Sequence, residues 1–393
     1  MRVVVVGGGI LGLATARTLL RDAGETEVIV LERADAVATG QTGHNSGVVH
    51  AGLYYKPGSL KARLCRRGMG LMRDYCRERG VPYEECGKLV IASEESELDR
   101  FEALAERAAT NGVPELRRLD ATELREVEPN AIGVAALHSP RTAIVDFGAV
   151  ARQLASDIAA AGGEVRTSVE VKDVRGGPRV ATVDLTDGTS VEADRVIVCA
   201  GLESDRLARA SGQDAEPRII PFRGEYWKLR PERTGLVKGL IYPVPDPDLP
   251  FLGVHLTKKI NGDVWLGPNA VLTLALDGYR RRAFNAKDAA HILGWQGTWR
   301  MMARNWRAGA QELASSRSKR RFIGEARRFV PSLRPEDAVR APSGVRAQAL
   351  DRDGSMVDDF RIGNDGRVLW VRNAPSPAAT SSLAIAEELV GSL

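Results

Sequence analysis

The chain opens on four consecutive β-branched residues, Val3-Val4-Val5-Val6. An apolar run without alternation fits a short strand buried on both faces of a parallel sheet. Gly7-Gly8-Gly9-Ile10-Leu11-Gly12 follows at once, and Leu13, Ala16 and Thr18 to Leu20 continue at helical spacing up to Gly24. Val28-Ile29-Val30-Leu31 is a second buried run and ends in Glu32. These positions predict a complete β-α-β unit.

The pattern then changes period several times. Residues 39–52 are turn-rich, with four glycines and two of the five histidines. A helix is predicted from about Ser59 to Arg79, with Leu60, Leu64, Leu71 and Tyr75 inward. Lys88 to Ala92 reads as a strand, and Leu98 to Ala109 as an amphipathic helix. Phe147 to Ala161 is a helix stopped by Gly162-Gly163, and Glu164 to Val174 a strand. Val180 to Val191 is a hairpin turning at Asp187-Gly188. Arg195 to Val198 is a strand running into Cys199-Ala200-Gly201. Residues 221–335 read as strands with a helical excursion from about Ala286 to Leu313. One more strand, Val368 to Val371, precedes a turn over Asn373 to Thr380 and a final helix, Ser381 to Val390. No internal repeat is visible.

Length and composition narrow the class. At 393 residues two domains are expected, since domains commonly run to ~100–200 residues. Apolar residues make up 44% and charged residues 27%, as in globular chains. A net charge of +4 neither demands nor excludes nucleic acid or anionic membrane, and no nucleic-acid partner is assigned. Cys65, Cys76, Cys86 and Cys199 are scattered without a Cys-x-x-Cys pair, so reduced thiols in a cytoplasmic protein are expected and no metal site is read. The longest uncharged apolar stretch, between Arg2 and Arg17, holds 14 residues, short of the ~20 of a membrane span. It also lacks the marks of a signal peptide.

The spacing Gly7-x-Gly9-x-x-Gly12 between a strand and a helix is a dinucleotide-binding pattern. Gly7 permits the tight turn, Gly9 lets a pyrophosphate approach, and Gly12 lets helix and strand pack. Ile10 and Leu11 begin the helix whose N-terminus faces the phosphates. Glu32 can accept from both ribose hydroxyls and repels a 2′-phosphate, which disfavours NADP. The motif alone does not separate FAD from NAD. The late strand ending in Ala200-Gly201, and the small residues before the last helix, lean toward FAD.

These blocks suggest a family. The chain resembles the FAD-dependent D-amino-acid-oxidase-like superfamily and, within it, the L-2-hydroxyglutarate dehydrogenases. The resemblance rests on Gly7 to Gly12, Gln41 to Gly52, Tyr54 to Ala62 and Pro221 to Tyr226. It continues in Pro243 to His255, Gly267 to Ala270, Gly344 to Gln348 and Asn373 to Thr380. It implies an α/β fold with a discontinuous Rossmann-like FAD-binding domain (1–80, 141–220 and 336–393). A substrate domain on a mixed or antiparallel sheet takes 81–140 and 221–335. It also implies non-covalent FAD, oxidation of L-2-hydroxyglutarate to 2-oxoglutarate, and electrons passed to a quinone or another acceptor, natural or artificial. An amine or amino-acid oxidase of the same superfamily and a non-catalytic flavin-binding protein are the rivals.

Within the blocks, residues divide by chemistry. Thr42, Asn45 and Ser46 are expected donors to FAD, with His44 beside them. Arg33, Val171, Ala200, Gly201, Asn373, Ser376, Ala378, Ala379 and Thr380 complete the expected cofactor set. Oxidising a 2-hydroxy acid needs a base for the hydroxyl proton and cations for the carboxylates. His50 and His255 are the candidate bases, with the choice open. Arg223 either grips a carboxylate or pairs with an acid such as Glu225, and Arg346 has the same standing. Tyr226 either donates to a carboxylate or packs.

Trp295, Trp299, Met302 and Trp306 recur at i, i+4, i+7 and i+11, beside Arg300, Arg304 and Arg307. Packing on the substrate domain is the preferred reading. The weaker one is peripheral contact with the inner face of the cytoplasmic membrane.

Overall fold

The computed structural model describes residues 1–247 and 251–393, so Asp248, Leu249 and Pro250 of the block Pro243 to His255 lie outside the described residues. The first β-α-β unit forms as its pattern requires: strand Arg2–Val6, helix Ile10–Asp22, strand Glu27–Leu31. Both strands pair in parallel and are buried over four of their five residues.

A six-stranded sheet grows around them in the order Arg361–Asp365, Val368–Asn373, Arg195–Val198, Arg2–Val6, Glu27–Leu31, Glu164–Arg166. Only its Arg361–Asp365 edge is antiparallel. Helices Ile10–Asp22, Phe147–Ala160 and Ala378–Gly391 share one apolar core with the helix Leu60–Arg79. Ser59 caps that last helix through the Ala62 N–H, and left-handed Gly80 ends it.

An eight-stranded mixed sheet faces this body. Its order is Ala338–Arg340, Trp227–Leu229, Val264–Gly267, His255–Lys258, Leu240–Pro243, Lys88–Ala92, Ala135–Ser139, Arg117–Asp120. Only the Leu240–Pro243 and Lys88–Ala92 pair is parallel. Strands alternate their side chains between faces. The pairing of Lys88 with Leu240, and of Leu240 with Thr257, therefore puts Lys88, Tyr242, His255 and Thr257 on one face. Leu240, Tyr242 and Val244 there join the core of the first body. Leu89, Ile91, Ile241 and Leu256 form a separate core on the other face with helix Lys319–Ala326.

Four sequence expectations need correction. The stretch 164–174 is two strands, Glu164–Arg166 and Val171–Gly176, in different sheets, with Ser168 at φ +57° between them. After Pro335 there are four strands, not one; the unforeseen Gly344–Leu350 pairs along its whole length with Arg218–Gly224. The excursion 286–313 is three helices, Ala286–Leu293, Gln296–Arg304 and Trp306–Arg317, broken at Trp295 and Asn305. That break disperses the aromatic stripe. Trp295 is buried, whereas Trp299, Met302 and Trp306 are 56%, 38% and 63% exposed, so core packing accounts for Trp295 alone. Among the described residues, no helix is long and apolar enough to cross a membrane.

Candidate active site

Strand Arg2–Val6 delivers its glycines to the start of helix Ile10–Asp22, and each glycine has its own reason. Gly7 has φ +112°, and a Cβ there would lie 2.3 Å from the Cys199 carbonyl oxygen. At Gly12 a Cβ would fall 2.0 Å from the Gly7 carbonyl oxygen, so helix and strand could not pack. Gly9 differs: the nearest protein atom to its Cβ would be Thr42 Oγ1 at 3.4 Å. The room in front of Gly9 is cavity.

Glu32 ends the second strand with both oxygens in use. Oε2 accepts from the Gly8 N–H at 2.7 Å and Oε1 from the Ala34 N–H at 2.8 Å. Each oxygen keeps a lone pair, so the carboxylate is held in place for further donors. Arg33 pairs with Glu203 at 2.9 Å and Asp277 at 3.3 Å. Val171, Ala200 and Gly201 line the same wall.

The loop after Gly40 folds largely on itself. Thr42 Oγ1 accepts from the Ile10 N–H at 3.0 Å and so caps the phosphate-facing helix. Asn45 donates to the Gln41 and Thr42 carbonyls and accepts from the Gly47 N–H, so its side chain shapes the turn. That replaces the expected role of its amide as a cofactor donor. Ser46 Oγ lies 3.5 Å from the Val48 N–H, a weak contact that leaves the hydroxyl free. His44 Nδ1 contacts the Gly40 carbonyl at 3.0 Å, and its ring lies 4.2 Å from that of Tyr279. Asn373 likewise spends its amide on the Val357 and Asp359 carbonyls. Ser376 precedes helix Ala378–Gly391, which Ala378 and Ala379 open. In its first turn, Thr380 Oγ1 accepts the His50 N–H at 3.1 Å and donates to the Val48 carbonyl at 3.3 Å.

One cavity of about 1060 Å³ joins these parts, running from Gly9 and Glu32 past Ala200 to Ser376, His50, Tyr226 and Arg346. A dinucleotide fits this shape. Open space stands before Gly9, an anchored carboxylate at one end, and a helix start beside His50 at the other. FAD is thus matched by what the residues leave free.

The reacting end is built from side chains. His50 lines the cavity, and its Nδ1 is buried without a hydrogen-bond partner among the described residues. Burial, with the charges of Lys88, His255 and Lys61, holds its pKa well below the ordinary imidazole value. Arg346 lines the cavity from strand Gly344–Leu350, its guanidinium 4.7 Å from the Phe251 ring centre. A Cβ at Gly344 would lie 2.4 Å from the His44 carbonyl oxygen, so only glycine lets this strand pass so close to the loop after Gly40. Tyr226 lines the cavity too, and burial pushes its phenol up to about 12, which keeps it a donor at neutral pH.

Two expected site residues lie off the cavity surface. Arg223 is buried against Glu225 at 3.0 Å and donates to the Arg280 and Arg281 carbonyls. Of the two roles the sequence leaves open, the pairing with Glu225 is the one formed, and Arg223 does not line the cavity. His255 is stacked on Tyr242, ring centres 4.0 Å apart, with Nδ1 2.9 Å from the Gly253 carbonyl. Burial drives its pKa down to about 3. Gly12 also stays behind the wall, as its packing role requires.

Lys88, Tyr54 and Tyr242 were missed. Lys88 Nζ sits 4.0 Å from the Tyr242 ring centre and 5.3 Å from that of Tyr54. A lysine opening an apolar strand was the only signal. Lys259, whose Nζ donates to the Asn45 carbonyl at 2.9 Å, was missed as well.

Comparison with known proteins agrees with this construction. The family described as FAD dependent oxidoreductase matches residues 2–391. The chain is 46% identical over 402 residues to the mitochondrial L-2-hydroxyglutarate dehydrogenase of Nematostella vectensis, covering 98% of this chain and 88% of that one. It is 45% identical to the human mitochondrial protein of that name, over 98% and 86%. The L-2-hydroxyglutarate dehydrogenase of Indibacter alkaliphilus is 42% identical, over 98% and 96%. Among solved structures, L-alpha-glycerophosphate oxidase from Mycoplasma pneumoniae with FAD bound superposes with a TM-score of 0.80 at 22% identity, over 99% of this chain and 93% of that one. Glycine oxidase from Geobacillus kaustophilus gives 0.72 at 20%, over 100% and 94%. These two show a shared fold. The chain belongs to the FAD dependent oxidoreductase family and, within it, groups with the L-2-hydroxyglutarate dehydrogenases.

Proposed function

We propose that this enzyme oxidises L-2-hydroxyglutarate to 2-oxoglutarate. The observation that carries the reading is the single cavity joining the glycine loop to His50, Tyr226 and Arg346. FAD, when bound, supplies the two-electron acceptor for the hydride leaving the carbinol carbon. The chain does the rest. Arg346 grips a carboxylate, and Tyr226 donates to it. An imidazole nitrogen of His50 takes the hydroxyl proton as the carbonyl forms. Burial keeps that imidazole neutral and so ready to accept. An entering anion raises its basicity by offsetting the cationic field. His255, off the surface and held by Gly253, positions Tyr242 instead of moving the proton.

The cofactor-binding set is proposed as Gly7, Gly9, Glu32, Thr42, Ser46 and the turn Ser376 to Thr380. The division into 1–80, 141–220 and 336–393 against 81–140 and 221–335 is kept, with strand Ala338–Arg340 moved to the second unit because it pairs with Trp227–Leu229. Electrons are proposed to leave to a quinone or another acceptor. The exposed Trp299, Met302 and Trp306 support a cytoplasmic protein resting on the inner face of the membrane.

Anaerobic mixing tests the function. L-2-Hydroxyglutarate should bleach the flavin far faster than its D-enantiomer, lactate or any amino acid. Because glycine oxidase shares the fold, amino acids belong in the panel. Faster bleaching by an amino acid, or equal rates on lactate, would overturn the reading.

A further inference from the structure

Lys88 is a buried cation without a counter-ion among the described residues. It is 1% exposed, and its Nζ has no hydrogen-bond partner among the described residues. No carboxylate pairs with it there. Its surroundings are Tyr54 from the loop after Gly52, Tyr242 from the neighbouring strand, and the thiols of Cys65 and Cys86. Taking an ammonium out of water without an opposite charge is costly, and native proteins seldom keep one idle. Burial accordingly draws its pKa down to about 7.

The position is specific. Lys88 projects from the face of the eight-stranded sheet that carries Tyr242 and His255. Its ammonium touches the Tyr242 ring, and His255 stacks on that same ring. Its charge bears on both His50 and His255, and His255 also feels Arg346. His255 is thus under the influence of two cations held by different strands, and His50 under that of Lys88 and Lys61. Arg346 is on the cavity surface; Lys88 sits behind it, on a four-carbon stem that can advance.

We propose that Lys88 receives the second carboxylate of the substrate while Arg346 receives the first, so that this pair makes the site selective for a dicarboxylate. The inference rests on the reading of the site as one for 2-hydroxyglutarate. An unpaired buried cation is then the half of an ion pair whose other half is the ligand. Two cations beside the neutral imidazoles also keep a monoanion from satisfying the site.

The test compares L-2-hydroxyglutarate with L-2-hydroxyvalerate, which has the same five-carbon chain and one carboxylate. In Lys88→Met, kcat/KM for the diacid should fall at least about a hundredfold, and for the monoacid far less, with FAD retained. Calorimetric binding of glutarate, which cannot react, should weaken in parallel. The variant should also melt higher than the parent, because the uncompensated charge is gone.

A second measurement needs no variant. Above pH 7 glutarate affinity should weaken, by up to about tenfold per pH unit, as Lys88 loses its proton. His50 and His255 are held below that range, whereas Lys259, drawn down to about 8, is not. The slope assigned to Lys88 is the part that Lys88→Met removes.

Equal losses on diacid and monoacid would overturn the proposal and make Lys88 a modulator of the histidines. A lower melting point with loss of yellow colour would overturn it in favour of a structural role, as would a pH-independent glutarate affinity in the parent. Failure of the underlying function looks different: the parent itself would leave its flavin oxidised with L-2-hydroxyglutarate.

Discussion

The two ends of the cavity are built by different means. At the glycine end the wall is backbone: Gly7 and Gly9, the N–H groups around Glu32, and the start of a helix. At the reacting end it is side chains, with His50, Tyr226 and Arg346 arriving from three separated segments and Lys88 and His255 behind them. Backbone sites tolerate no added Cβ, while side-chain sites tolerate a change of residue and lose only its chemistry. Substitutions at the two ends should therefore fail in different ways.

The largest effect is expected at the glycine end. Gly9→Val should abolish flavin binding while leaving a folded protein, because the new side chain points into cavity. Gly12→Val should prevent folding, since its Cβ would overlap the Gly7 carbonyl. Circular dichroism and the flavin spectrum distinguish the two. A yellow Gly9→Val protein would break the assignment of that space to the cofactor.

At the reacting end, His50→Ala should slow anaerobic flavin reduction by ~10²–10⁴-fold, the usual worth of a general base, with FAD content unchanged. His255→Ala should cost much less, because that ring lies off the cavity surface. The reverse order would exchange their roles.

This contrast also explains what could be read in advance. The β-α-β unit, Glu32 and the glycines were legible because one local spacing encodes turn, close approach and packing together. His50, Tyr226 and Arg346 were found through resemblance, not through any local rule. Lys88 was invisible because its meaning depends on which strands flank it, and the sequence does not state that Lys88–Ala92 pairs with Leu240–Pro243. Asn45 misleads, and Arg223 stays undecided between a ligand and Glu225, for a related reason. A polar side chain in a functional block can be spent on the block itself, and only the partners decide. The stripe at Trp295 failed because its period continues through Asn305, where the helix breaks.

Arg223 gives an effect of intermediate size. Arg223→Ala leaves Glu225 buried, with Ser316 at 2.7 Å and Arg281 at 3.7 Å remaining. Removing one partner of a buried pair costs about 3–5 kcal/mol, so the melting temperature should drop sharply. The KM for L-2-hydroxyglutarate should stay near the parent value in protein that remains folded. A raised KM at unchanged stability would restore the carboxylate-binding role.

The smallest effect concerns the surface, where Trp299, Met302 and Trp306 stand exposed beside Arg300, Arg304 and Arg307. Residues 300–328 hold nine basic and two acidic residues, against a net +4 for the whole chain. Aromatic rings among cations suit the bilayer interface, and each basic residue near an anionic surface adds about 1 kcal/mol. The protein should therefore pellet with anionic vesicles at low ionic strength and be released as salt shortens the screening length. Trp299→Ser with Arg320→Glu and Arg321→Glu should weaken pelleting by more than about tenfold and leave flavin reduction in solution unchanged. The substituted residues are exposed on helices, and none of them lines the cavity. No pelleting at low salt would remove the membrane reading and leave these side chains without a lipid role.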